Sequence, residues 1–369
     1  MGHSVAFAFR DSERLAAASS EGFAAFAAPL LRPPLHASPS PLSHSDILLN
    51  LGFADRPGLA GALRAWRSLY ELVQPDVLVA DYAPTALVAA RASGLRRVTI
   101  GTGFSQPSNG DPLPALRPWD PVEEDVLRGF DERVLSSIRA ASNGAARHAP
   151  REAREVFAAQ AHLLCTFPEL DPFGPRADVE YAGPQGDATT GADARWKSTS
   201  GPRVFAYLKP RDPRFAAVLQ GLRAVGAEVI VAAPGLDAGE ARALSSETLR
   251  VVPGTVNLDP LLGEASLCVS HAGPGLAARA LVAGVPMALL PLQLEQFLVA
   301  VRLRDGGSAQ LVSPEEAAPD FRQWFAQLLA REDLRDAARR HAGAHRGYSF
   351  DDATRRAAQR IAQVAAAPA

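Results

Sequence analysis

Short apolar runs of four to eight residues, bounded by Gly, Pro or Asp, alternate along this chain with longer segments of helical period, and the alternation occurs twice. Runs of that length suit strands buried on both faces, and the segments between them suit crossover helices, so the pattern is that of βαβ units and parallel sheets. In the first half the spacing predicts strands over Ser4 to Phe9, Gly22 to Phe26, Val77 to Ala80, Arg97 to Ile100 and His162 to Thr166. Helices are expected near Ser12 to Ala18, Leu59 to Val73 and Thr85 to Ala92, with helix-rich sequence from Val122 to Ala159. The second half predicts strands at Val204 to Leu208, Glu228 to Ala232, Leu249 to Val252, Leu267 to Ser270, Met287 to Leu290 and Ala309 to Val312. A length of 369 residues suits two such units.

Asp171 to Gly201 is dense in Gly, Pro, Ser and Thr and is read as the linker, because such sequence buries little apolar surface. The expected organisation is therefore an α/β domain over residues 1–170, a linker over 171–201, a second α/β domain over 202–349 and a C-terminal helix over 350–369 that crosses back to the first domain. After Pro314 the sequence is helical throughout, with opposite charges spaced for solvated faces, as in Glu332 with Arg335 and Asp336 with Arg340.

Composition narrows the function classes. The net charge is −2, so no global field favours nucleic acid or an anionic membrane, and any anion must be gripped locally. The longest apolar stretch is broken by Pro286, Pro291 and Glu295, short of a membrane span, and the N-terminus lacks the pattern of a signal peptide. A cytoplasmic location is the expectation. Cys165 and Cys268 lie in apolar runs and read as small packing residues. His36, His44, His148, His162, His341 and His345 show no metal-ligand spacing and are assigned nothing, so no metal site is expected. No P-loop and no Gly-x-Ser-x-Gly occurs, and no Gly-x-Gly-x-x-Gly follows a strand.

The most informative segment is Ser266 to Gln296. A predicted strand ends at Ser270, His271, Ala272, Gly273, Pro274 and Gly275 follow, and then an alanine-rich helix begins. Two glycines let a ligand approach the backbone, and a helix start offers unpaired N–H groups and the positive end of a dipole, which suits a phosphate or diphosphate. In that reading the His271 imidazole N–H donates to a phosphate oxygen. The same residues also fit a plain turn that His271 caps.

His271-Ala272-Gly273-Pro274-Gly275, then Ala283-Gly284-Val285-Pro286, then Pro291 and Glu295-Gln296, resembles the donor-site signature of the UDP-glycosyltransferase and macrolide-glycosyltransferase superfamily of the GT-B fold. The resemblance spans about thirty residues with several fixed spacings. It implies two Rossmann-like domains facing across a cleft, a pyrophosphate held by the loop of His271, Ala272, Gly273 and Gly275, and donor-sugar hydroxyls held by Glu295 and Gln296. Two positions depart from the family pattern. Leu276 stands where Thr or Ser is usual, and Arg279 where Glu often accepts from ribose hydroxyls. Arg279 can only donate, so it either pairs with a phosphate or points to solvent.

In the first half, Pro75 to Asp81 followed by a helix and by Ile100-Gly101-Thr102-Gly103 resembles the acceptor domain of the same superfamily. There an Asp, here Asp81, orients a His that deprotonates the acceptor hydroxyl. Taken alone, Asp81 is equally a loop acid capping the next helix. Gly2-His3-Ser4-Val5 resembles the family's second strand, which makes the first strand and its Gly-His loop the expected missing part and the first domain N-terminally truncated. His3 is not taken as the base.

The resemblance thus implies metal-independent transfer of a hexosyl unit from a UDP- or dTDP-sugar to a hydroxyl on a small, apolar acceptor. The donor is the only bound group expected, with no separate cofactor. The alternative is a non-catalytic nucleotide-sugar-binding subunit acting with a partner protein.

Overall fold

The computed structural model describes residues 2–142, 149–186 and 191–367. The first half contains β1 (Ala6–Phe9), α1 (Ser12–Ser20), β2 (Ala24–Ala27), α2 (His44–Asn50), α3 (Arg56–Val73), β3 (Val77–Ala80) and α4 (Pro84–Ala92). It continues with β4 (Arg96–Gly101), α5 (Glu124–Ala141), β5 (Ala161–Leu164) and β6 (Glu180–Tyr181). The second half contains β7 (Arg203–Tyr207), α6 (Phe215–Arg223), β8 (Glu228–Ala232), α7 (Ala238–Leu244), β9 (Leu249–Val252), α8 (Asp259–Leu262), β10 (Leu267–Ser270) and α9 (Pro274–Ala283). Next come β11 (Met287–Leu289), α10 (Leu294–Asp305), β12 (Ala309–Leu311), α11 (Phe321–Ala330), α12 (Glu332–Ala344) and α13 (Phe350–Ala366).

Every strand pairing in these sheets is parallel. The second domain is a six-stranded sheet in the order β12-β11-β10-β7-β8-β9. Alternate strand residues feed opposite cores, as the two-residue period requires. Phe205, Ile230, Cys268 and Met287 face one layer, while Val204, Val229, Val269 and Ala288 face the other. Chain order reverses between β7 and β10, and in an open α/β sheet that switch point leaves a crevice outside the strands' carboxyl ends.

The first domain divides into a four-stranded sheet, β3-β4-β5-β6, and a separate pair, β1-β2. α3 shows why its sequence folds as it does. Asp55 caps the helix by accepting from the Gly58 N–H, Pro57 sits in the first turn, and Leu59, Ala62, Leu63 and Trp66 form the buried stripe. α13 lays Ala357 and Val364 against Val98, Ala161 and Leu163 of β4 and β5, so the C-terminal helix rests on the first domain's sheet.

Three expectations need correction. The segment over 171–201 is less of a free linker than its composition suggests. It supplies β6, buries Ala194 in the second domain's core, and ties the buried Asp171 to Arg176 at 2.8 Å. The turn-rich residues hid a strand of only two residues. Secondly, α2 lies where the sequence predicted no element; Ser43 caps it, but seven residues are too few to display helical period. Thirdly, Asp336 pairs with Arg339 and not Arg340, while Glu332 does pair with Arg335. His148 and part of the helix-rich region before Ala159 lie outside the described residues. Both cysteines are free, and burial pushes Cys165 up to about 11 and Cys268 up to about 12, so neither is a reactive thiolate near neutral pH.

Candidate active site

The carboxyl ends of the two sheets face each other. Thr102, just beyond β4, donates its hydroxyl to Glu295 Oε1 at the start of α10 at 2.6 Å, and the Trp119 ring meets Phe297 edge-on at 5.4 Å. Both contacts join the first domain to the first turn of α10.

At the switch point, β10 ends in the buried Ser270 and runs into His271. Ala272 follows at φ +59°, an uncommon left-handed conformation for an alanine, and its N–H is taken by Ser270 Oγ at 3.2 Å. The turn aims α9 so that its N-terminus opens outward. Gly273 is the N-cap residue but no side chain caps the helix, and the N–H groups of Gly273, Gly275 and Leu276 have no partner among the described residues. Beside Gly273 and Gly275 an added Cβ would meet nothing within 4 Å. An uncapped helix tip with free amides, a positive dipole end and open space before it has the chemistry that attracts an anion.

His271 differs from the phosphate-donor expectation. Its Nδ1–H donates to the Leu290 carbonyl at 2.7 Å, and its Nε2 accepts the Lys209 N–H at 2.9 Å. Both nitrogens are spent on backbone, so His271 ties the loop after β7 to the ends of β10 and β11 and shapes the turn, as in the capping alternative. Burial holds its pKa below the ordinary histidine value, opposed by the Leu290 hydrogen bond and by Asp212, whose Oδ2 lies 3.7 Å away. Arg214 pairs with Asp212 at 3.1 Å and donates to the carbonyls of Leu290 and Pro291, which completes the frame.

Arg279 follows neither expectation, pairing with a phosphate or pointing to solvent. It is buried on α9, donates to Gly186 O at 2.5 Å and to Asp259 Oδ1 at 3.3 Å, and stacks 4.0 Å over the Phe350 ring. It therefore pins the interdomain segment and the start of α13 onto α9. Leu276 is half-buried against the core, which accounts for an apolar residue there. Gln296 is buried and turns its Oε1 back to the Leu292 N–H at 2.9 Å. Of the two residues expected to hold sugar hydroxyls, only Glu295 faces the other domain, and Thr102 holds it.

Asp81 is exposed just past the end of β3 and makes no hydrogen bond or ion pair among the described residues. No described histidine contacts it. Partial desolvation raises its carboxyl pKa, with the charge of Arg14 pulling the other way. Gly101, at φ +145°, is needed beside it, since a Cβ there would press on Asp81 Oδ1 and strike Ser105 Oγ. The sequence reading missed Thr102. Its place between two glycines at a strand end was the available signal.

Two parallel sheets meeting across a groove at their carboxyl ends, with a bare helix tip on one side, define the GT-B architecture. No protein-family model matches the chain. It is 29% identical over 294 residues to a zeaxanthin glucosyltransferase from Pseudescherichia vulneris, covering 72% of this chain and 68% of that protein. Among solved structures it resembles CalG4, the calicheamicin glycosyltransferase, with a TM-score of 0.71 and 17% identity over all of this chain and 92% of that one. The glycosyltransferase VinC in complex with dTDP matches with a TM-score of 0.65 and 17% identity, covering 99% of this chain and 92% of that one. The fold is thus that of the GT-B glycosyltransferases. No helix among the described residues is long and apolar enough to cross a membrane.

Proposed function

We propose that the protein is a glycosyltransferase that moves a hexosyl unit from a UDP- or dTDP-sugar to a hydroxyl of a small, apolar acceptor. The observation that carries this reading is the uncapped N-terminus of α9, with open space before it. Negative charge grows on the diphosphate as the glycosidic bond breaks. The amides of Gly273, Gly275 and Leu276, fixed in advance by the His271 frame, stabilise it without a divalent metal. Donor hydroxyls replace Thr102 at Glu295. Asp81 accepts the acceptor's proton; its raised pKa makes it a better base than an ordinary carboxylate. The glucosyltransferase relative and the dTDP complex of the structural neighbour support the donor class, and a carotenoid acceptor in the relative's name supports an apolar one.

Titration calorimetry with UDP, dTDP and GDP tests the donor half. Binding of UDP or dTDP is expected, and no binding of any of the three overturns the reading. For the acceptor half, Asp81→Asn should leave nucleotide affinity unchanged and lower kcat by about 10²–10⁴-fold in transfer assays. An unchanged kcat removes Asp81 from the mechanism.

A further inference from the structure

The first domain holds an open pocket of about 420 Å³, within the range of pockets that hold drug-sized ligands. It is lined by Thr99 of β4 and His162 of β5, whereas their neighbours Val98, Ala161 and Leu163 face α13. Strand alternation therefore puts the cavity on the sheet face opposite α13. Leu87, Leu113, Phe157 and the ring of Tyr82 supply apolar walls, while Asn109, Arg154, Glu155 and Asp178 add polar and charged lining. Ser105 also lines it and stands beside Gly101 and Asp81, so the cavity reaches toward the groove.

A chain of hydrogen bonds fixes the tautomer of His162. Gln106 Nε2 donates to the Leu163 carbonyl at 2.9 Å, which orients the amide and leaves Gln106 Oε1 as an acceptor. Thr99 donates its one hydroxyl proton to that oxygen at 2.9 Å. Thr99 Oγ1 lies 2.8 Å from His162 Nδ1, and with its proton already committed it can only accept, so Nδ1 carries the imidazole proton. Nε2 is then a bare lone pair, and it has no partner among the described residues. Burial lowers the pKa of His162, with Asp178 and Glu180 opposing and Arg176 reinforcing, and the ring stays neutral at pH 7.5.

We propose that this cavity binds a small, largely apolar molecule carrying a hydroxyl, and that the ligand's O–H donates to His162 Nε2. His162 lies level with Thr99, three residues before Thr102, or about 10 Å below the groove. The hydroxyl it holds is therefore not the one glycosylated near Asp81 but a second polar group that sets the ligand's depth. That the ligand is the sugar acceptor rests on the function proposed above; that it binds does not.

The test uses the full chain and two probes, 4-hydroxybiphenyl and its methyl ether. By calorimetry at pH 7.5 the phenol should bind about ten-fold tighter than the ether, and His162→Phe should bring the two affinities together by weakening the phenol. Nitrogen-15 NMR should show His162 protonated at Nδ1 and bare at Nε2, with the Nε2 resonance moving upfield when the phenol binds. If His162→Phe does not fold, Thr99→Val serves, because loss of the tautomer lock should shrink the phenol's advantage. Equal affinity of phenol and ether for the native chain, or a proton on Nε2 in the free protein, overturns the proposal. UDP titrations on the same samples separate the two readings. Nucleotide binding without phenol selectivity sinks the cavity assignment alone, and phenol selectivity without nucleotide binding sinks only the acceptor role.

Discussion

Replacing Gly275 with aspartate is expected to abolish nucleotide-diphosphate binding while leaving the fold intact or slightly more stable. Gly275 sits in the first turn of α9, and a Cβ there meets nothing within 4 Å, so the side chain fits without rearrangement. In the free protein the carboxylate faces the positive end of the helix dipole and replaces a poor helix former, each worth a few tenths of a kcal/mol to about 1 kcal/mol. In the complex it lies against the diphosphate. Juxtaposed like charges cost several kcal/mol, so a loss of at least about 100-fold in affinity for UDP or dTDP is expected. Calorimetry and thermal melts on one preparation check both halves. A variant that keeps the native Kd moves the diphosphate away from α9, and one that melts well below the native protein contradicts the open tip.

The second large effect concerns acid stability and traces to His44. This residue starts α2, is 1% exposed, donates from Nε2 to the Phe104 carbonyl at 2.9 Å, and lies among the rings of Tyr82, Phe104, Phe157 and Phe173. Burial, aided by Arg176, lowers its pKa from 6.5 to about 4. Above pH 6.5 the ring is neutral folded and unfolded, and it contributes nothing to the pH dependence. Between pH 6.5 and 4 the unfolded chain takes a proton that the folded chain refuses, so stability falls as pH falls, by about 3 kcal/mol in total. The difference in unfolding free energy between native protein and His44→Leu, measured in denaturant at pH 7 and again at pH 4.5, should shrink at the lower pH by most of that amount. A pH-independent difference would falsify the assignment.

These effects rest on residues of very different legibility. β3, β8, β9 and β10 stand where the apolar runs predict them; β8 and β10 are buried on both faces, and such a strand announces itself by composition alone. The α9 loop was readable for a related reason, since a glycine-bearing strand-to-helix turn is local chemistry. α2 and β6 were not readable. They are too short to show a period and are held by tertiary contacts, β6 by pairing with β5, and α2 by Ser45 donating to Asp131 at 2.6 Å and His44 to the Phe104 carbonyl at 2.9 Å.

Site side chains split along the same line. Residue identity told that His271, Arg279, Glu295 and Gln296 carry polar groups beside a helix tip, but not what each one meets. His271 spends both nitrogens on backbone from two other strand ends, and Arg279 reaches Gly186, 93 residues away, and Phe350. His162 gave no signal at all, because its tautomer depends on Thr99 and Gln106, 63 and 56 positions earlier in the sequence.

By itself, then, the sequence determined the two α/β domains and the glycine turn that bares a helix start, since periodicity and backbone freedom are properties of neighbouring residues. Which polar groups are left free to meet a ligand was decided only when the strands packed. A donor or acceptor is spent or spared by partners that the chain brings in from a distance, and burial then sets the charge it can carry.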